Sequence, residues 1–236
     1  VFPDAAVETG AISNRTIIAV AQWLERVSYV AADAVTVLSD DLRDNVVAKL
    51  GSGDTVHVIP NFVDTEAIVP ADRSTPYRTE LGLGDGPVVL YAGNVGFSQS
   101  LELFLAAARE LPDVVFLING NGAARPSLEV AAAGIANVRF ADYIAPERLS
   151  ELLATGDVHV VPLRRGLGRV SVPSKTYSIM AAGRPVVASI DPGTAVPQIL
   201  DESGGGLAVA PDDAVAFTEA IRAMVATPTF DPARAT

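Results

Sequence analysis

Residues 88–122, VVLYAGNVGFSQSLELFLAAARELPDVVFLINGNG, join two apolar runs by one helical pattern. The runs VVLYAG (88–93) and VVFLING (114–120) are short, rich in β-branched residues and free of charge, as strands buried on both faces are. Between them Leu101, Leu105 and Ala108 recur at helical spacing. The same alternation extends in both directions. AVTVLS (34–39), VHVIP (56–60), NVRFA (137–141), DVHVVPL (157–163), PVVAS (185–189) and LAVA (207–210) read as further strands. Helical patterns such as Leu149, Leu152 and Leu153 lie between most of them. Buried strands alternating with helices predict an α/β fold, a doubly wound parallel sheet covered on both faces.

One segment breaks the rhythm. PNFVDTEAIVPADRSTPYRTELGLGDG (60–86) has three prolines, clustered charges and glycines at 82, 84 and 86, which is the composition of a linker. It separates a first part, residues 1 to about 70, from a regular second part, about 76 to 226. The first part has a long amphipathic pattern, with Ile17, Val20, Leu24, Val27 and Ala31 on one stripe, then a strand, a helix over 41–50 and another strand. Two strands make a poor independent sheet. The chain also opens on Val rather than Met, so this part is expected to be the tail of an incomplete domain. Residues 227–236 read as a loose tail.

Composition excludes several classes of function. The 236 residues are 49% hydrophobic with a net charge of −11 and a pI near 4.5. That balance argues against a nucleic-acid partner or an anionic membrane surface, either of which needs a basic face. Zero cysteine removes disulfides, thiolate catalysis and cysteine–zinc sites. Two histidines, His57 and His159, cannot build a histidine-rich metal centre, and both read as packed strand residues. No apolar run reaches membrane-spanning length, and no signal peptide is visible. A cytoplasmic location is expected.

The chemistry is expected in the loops at the carboxyl ends of the strands. AGNVGFSQSLE (92–102) sets Gly93 and Gly96 around Asn94, before a helix start marked by Ser98 or Ser100. Glycines there let backbone N–H groups approach a phosphate, although a tight turn that binds nothing fits equally well. NGNGAARPSLE (119–129) offers turn glycines 120 and 122 and a cation, Arg125, or else an ordinary turn with a solvated arginine. PLRRGLGRVSVPSK (162–175) carries Arg164, Arg165, Arg169 and Lys175 with no acid among them, and its glycines give it freedom to close over a ligand. A solvated basic loop is the usual explanation of such a run. Its place between a buried strand and a buried helix favours an anionic ligand. Ser174 reads as an N-cap, which puts Lys175 in the first helical turn, where it opposes the helix dipole by up to about 1 kcal/mol. A bound phosphate would supply the missing negative charge. Asp142 and Asp157 read as separate loop-edge carboxylates, not a glycosidase pair.

Taken in order, VFPDAAVETGAI, LERVSYVAADAVTVLS, VIPNFVDTEAIVP, VVLYAGNVG, INGNGAARPSLE, NVRFADYIAPERLSELLATGDVHVVPL and VPSKTYSIMAAGRPVVAS resemble the family-4 glycosyltransferases of the GT-B fold. The nearest branch is the bacterial one that builds cell-surface polysaccharides. The likeness covers nearly the whole chain. It implies that residues 1–70 end an acceptor-side domain and that 76–226 form a Rossmann-like domain for the donor. It further implies retaining transfer of a sugar from a nucleotide-diphosphate donor, expected to be a UDP-linked aminosugar, to a glycan or lipid-linked acceptor. No cofactor or metal is implied, and docking at the inner face of the cell membrane stays open. A part-chain of this kind is expected to bind nucleotide but transfer nothing without the rest of the acceptor domain.

By position, the resemblance puts Gly93, Asn94, Gly96, Arg165, Arg169, Ser174 and Lys175 at the donor diphosphate, with Lys175 and Asn94 as the catalytic pair. Gly120, Gly122, Arg125, Tyr143, Ile144 and Ser178 fall at the base and ribose. Two departures stand out. Most relatives carry a glutamate pair spaced E-x7-E whose second member grips the ribose, and here those places hold Val170 and Ser178. The usual Arg and Lys of the first loop are missing, with Asn94 and Gln99 near those places, which leaves Lys175 and the arginines at 164, 165 and 169 as substitutes. The rival readings are a non-catalytic binding module with a degenerate donor site and, less favoured for want of its carboxylate and histidine equipment, a nucleotide-sugar epimerase.

Overall fold

The computed structural model describes residues 3–8, 10 and 12–227. All eight strands read from the sequence form. β3 (Val88–Ala92), β4 (Val115–Asn119), β5 (Val138–Ala141), β6 (Val158–Pro162), β7 (Val186–Ser189) and β8 (Gly206–Val209) make one parallel sheet in the order β5-β4-β3-β6-β7-β8. The chain winds outward from β3 to β5, then returns to β6 on the other flank of β3. That reversal opens a crevice at the carboxyl ends of β3 and β6, where open α/β sheets take their ligands. β1 (Val35–Val37) and β2 (Val56–Val58) form a separate parallel pair.

Helices cover both faces. α5 (Leu101–Glu110) and α10 (Ala214–Ala226) bury Phe104, Phe217 and Ile221 against Val89, Tyr91 and Val187. On the other face lie α7 (Leu149–Thr155), α8 (Lys175–Ala181) and α9 (Ala195–Ser203). Their core continues into the first part of the chain, because Val35, Val46 and Ile68 share one cluster with Val161, Ile179 and Val186. α6 (Arg125–Ala131) completes the βα alternation.

Three details differ from the sequence reading. The stretch 60–86 is largely exposed, but its second half is anchored by buried side chains. It forms the helix Pro76–Glu80, and Arg78 is buried where it donates to the carbonyls of Gly84 (2.7 Å) and Thr155 (3.0 Å). Arg73 and Arg78 both meet Asp157, at 3.0 and 3.4 Å. His57 is exposed on β2 rather than packed, because a two-stranded pair covers only one of its faces. The long helix α2 (Arg15–Ala31) forms as expected, capped by Asn14, whose side chain accepts from the N–H groups of Thr16 and Ile17. Yet Ile17, Val20, Leu24 and Val27 on its apolar stripe are exposed. α2 instead meets α3 (Asp40–Leu50) along its polar edge, through Lys49–Glu25 at 2.8 Å. The expected tail lies outside the described residues, save Thr227.

Candidate functional site

The turns after β3 and β4 are laced together. Gly93 N–H donates to Asn119 O, Val95 N–H to Asn121 O, and Ala124 N–H to Val95 O, each at 2.9 Å. So close an approach leaves no room for side chains. A Cβ on Gly120 would sit 1.9 Å from the Gly93 carbonyl oxygen, and one on Gly122 would lie 2.4 Å from that of Val95. These two glycines therefore serve backbone packing beside the site. The Gly96 N–H is also spent, on Gln99 Oε1 at 3.1 Å, whereas the Asn94 N–H has no partner among the described residues. Ser100 stands at the N-cap of α5 but turns its hydroxyl to Asp212 (2.9 Å) instead of capping the helix.

Lys175 is the first residue of α8, with Ser174 at the N-cap position making no side-chain cap bond. Its Nζ lies 4.0 Å from the centroid of the buried Tyr91 ring, and a Cβ on Gly93 would be 2.9 Å from it. Among the described residues, no carboxylate or carbonyl pairs with this ammonium. Burial, with no anion to offset it, pushes its pKa down to about 8. The ring face below offers a cation–π contact worth about 1–2 kcal/mol, which softens the cost without cancelling the charge.

Above Lys175 opens a cavity of about 390 Å³, large enough for part of a nucleotide. Gly93, Tyr143, Ile144, Ser174, Lys175 and Ser178 all line it. The sequence reading missed the rest of the lining, notably Asn119 and an apolar wall of Leu149, Leu152, Leu153 and Ile179. Those leucines carried a helix signal and nothing that distinguished a cavity wall from ordinary core. Tyr91 was missed for the same reason, as one apolar letter within a strand.

The arginines end up elsewhere. Arg164 pairs with Glu102 at 2.9 Å, and Arg165 reaches Pro211 O (3.0 Å) beside Asp212. Arg169 is exposed and, like these two, lines no part of the cavity. Arg125 is occupied by Glu129 and Asp142, at 2.8 and 2.5 Å, and by the Gly120 carbonyl. The 162–175 loop is clamped rather than free. The Asp191 carboxylate accepts from Gly166 N–H (2.8 Å) and Gly168 N–H (3.0 Å). The acids absent from the local sequence arrive from distant loops, and Asp191, in SIDPGT after β7, was the signal available to find one of them.

His159 is packed, as expected. Its Nε2 lies 2.8 Å from Leu153 O, and burial holds its pKa down to about 4, so it is neutral at physiological pH. Among the described residues, no group of three or more acidic or histidine side chains is placed to hold a metal. No described helix is long and apolar enough to cross a membrane.

Comparison with known proteins agrees with this geometry. The family described as "Glycosyl transferases group 1" matches residues 86–227, and "Glycosyltransferase Family 4" matches 11–67. The chain is 30% identical over 199 residues to WcaI of Escherichia coli K12, by name a colanic acid biosynthesis glycosyl transferase, covering 80% of this chain and 49% of WcaI. It is 29% identical over 221 residues to the alpha-D-kanosaminyltransferase of Streptomyces kanamyceticus, covering 89% and 55%. The chain thus spans about half the length of the curated relatives it matches. Anabaena Alr3699/HepE, solved with UDP and glucose, superposes with a TM-score of 0.77 at 18% identity, over 100% of this chain and 63% of that one, which shows a shared fold.

Proposed function

The chain belongs to the group 1 glycosyltransferases, with the GT-B fold, and from that premise we propose that its cavity holds a nucleotide-diphosphate sugar, the diphosphate lying over Lys175. The observation that carries this reading is the desolvated Lys175 ammonium, held against Gly93 with no anion of its own. A half-buried cation without a partner is costly in a folded protein, and a diphosphate would complete it. The free Asn94 N–H on the adjoining turn is the second donor we assign to the phosphate oxygens. Tyr143 and Ile144 would flank the base, and Ser178 would face the pentose.

In the reaction, the bond between the anomeric carbon and the β-phosphate oxygen would break while an acceptor hydroxyl attacks the same face, its proton passing to the departing phosphate oxygen, so that configuration is retained. Negative charge grows on the departing nucleoside diphosphate, and the fixed Lys175 ammonium stabilises it. The fixed ammonium supplies positive charge at the place where a metal ion would otherwise act. The acceptor would be a glycan or a lipid-linked sugar in cell-envelope or exopolysaccharide synthesis, the setting that the name of WcaI suggests. The donor would be a UDP-linked aminosugar, and catalysis would need the remainder of the acceptor domain.

Calorimetry with UDP tests the site. Lys175→Ala should weaken binding by about tenfold or more, the loss expected of a charge-assisted contact. Equal affinity in the two proteins would remove the charged phosphate contact. A second reading, a binding module without turnover, is favoured by Ser178, which cannot make the bidentate grip of a carboxylate. Donor turnover by the full-length protein, with anomeric configuration kept, decides against that alternative.

A further inference from the structure

We infer that Asn119 reads the base of the donor. Its side-chain oxygen accepts from a ring N–H, so the cavity selects nucleotides whose base carries one beside a carbonyl, as uracil and guanine do, over cytosine. This deepens the donor-site reading above and rests on it.

Asn119 is an amide at the carboxyl end of β4, whose other residues, Val115 to Ile118, are apolar. It is only 1% exposed and still lines the cavity. Both amide hydrogens are spent, on the Tyr77 hydroxyl at 2.7 Å and on Asp142 O at 2.8 Å. A backbone carbonyl can only accept, so the bond to Asp142 fixes which end of the amide is nitrogen. Oδ1 faces the other way, and among the described residues no donor meets it. Nor is it sealed into the core, as the unpartnered Ser39 Oγ and Thr176 Oγ1 are. The open space that Asn119 borders is the cavity. An acceptor left without a partner on so buried a residue is an exception in folded proteins, and a ligand donor would satisfy it.

Charge and position identify the donor that meets it. An ionised diphosphate offers only acceptors, so it cannot be the partner. The bond to Asp142 O holds the amide beside the next residues along, Tyr143 and Ile144, which flank the base in the reading above. The pentose faces Ser178, on α8. The base is therefore the part that Asn119 meets. Uracil carries N3–H between two carbonyls. Cytosine has a lone pair at N3 and keeps its N–H groups on the exocyclic amine, at the place of the uracil O4. Two acceptors brought face to face lose their water and gain nothing. The amide cannot turn its nitrogen to cytosine without giving up Tyr77 and Asp142. A site built to hydrogen-bond an N–H rejects strongly the analogue that lacks it.

UDP and CDP share diphosphate and pentose and differ only in the base, which makes them the probes. Titrated calorimetrically into the full-length protein, UDP should bind at least about tenfold more tightly than CDP. Asn119→Leu, close in shape but without the acceptor, should bring the two within about threefold of each other. That variant also gives up the bonds to Tyr77 and Asp142, so N3-methyl-UDP supplies a second measurement on the unaltered protein. Blocking the N–H should weaken binding about tenfold or more. CDP binding the wild type as tightly as UDP, or N3-methyl-UDP matching UDP, would overturn the inference while leaving the donor site in place. A folded Asn119→Leu protein that keeps the full preference would do the same. Binding of none of these nucleotides would overturn the donor-site reading itself, and this inference with it.

Discussion

Lys175 shows what a single residue can disclose and what it conceals. Its rarity and its place at the start of a helix marked it in the sequence, and the structure puts its ammonium against Gly93. The surface on which it rests, the Tyr91 ring, was not legible, because contact between residues far apart in sequence depends on the register of β3 against α8. The arginines failed differently. Local sequence showed four cations and no acid, while Glu102 of α5 and the loop residues Asp191 and Asp212 came in from elsewhere to hold that segment. The pKa of Lys175, pushed down by burial to about 8, gives the site a pH dependence of definite sign. A lowered pKa on a base means that charge is present below about pH 8 and lost above it. UDP affinity should therefore be full near pH 7 and fall above about pH 8, by up to roughly tenfold per pH unit, until the pKa of the complex is reached. The UDP phosphates are largely ionised at about pH 7 and fully so above about pH 8, since their last pKa is about 6. Calorimetry between about pH 7 and 9.5 reads the slope. Lys175→Arg, which stays charged throughout, should give a flat profile, and a flat wild-type profile would place the ammonium out of contact.

At the scale of elements, the glycine turns were found from the sequence, but their purpose was misread in part. Gly93 and Gly96 looked like a phosphate loop, and Gly120 and Gly122 like turn glycines at the base and ribose, since glycine composition does not reveal which way an N–H points. Hydrogen bonding shows that Gly93 and Gly96 have already spent their N–H groups, and that Gly120 and Gly122 let one turn lie on the other. Gly120 combines a φ of +145° with a prospective Cβ overlap on Gly93 O. Gly120→Ala should therefore destabilise the protein by about 3 kcal/mol or more, from backbone strain plus the displaced turn. It should weaken UDP binding as well, because the displaced turn carries Gly93, which lies against Lys175. Urea unfolding and calorimetry on the same variant check both, and unchanged stability would mean that the two turns can part freely.

At the scale of the molecule, the alternation of buried strands and helices was enough to give the parallel sheet, because unbroken apolar runs and period-3.6 patterns are imposed locally. Two global features were not legible. Proline and charge in 60–86 read as a linker, yet Arg73 and Arg78 serve as struts that tie it to Asp157 at the amino end of the sheet. The apolar stripe of α2 predicted the helix correctly, but periodicity cannot say what meets the face, and among the described residues it stays open. The sparse lysine content of the chain has a practical side. Of the two lysines, Lys49 is held between the carboxylates of Asp4 and Glu25, at 2.7 and 2.8 Å. Lys175, with a pKa near 8, is about half free amine in mildly alkaline buffer. A small acylating reagent should thus modify Lys175 well ahead of Lys49, as peptide mass spectrometry would show, and UDP should protect it. Faster modification of Lys49 would contradict this. The same chemistry that poises the ammonium for a phosphate makes it a built-in handle for covalent probes of the cavity.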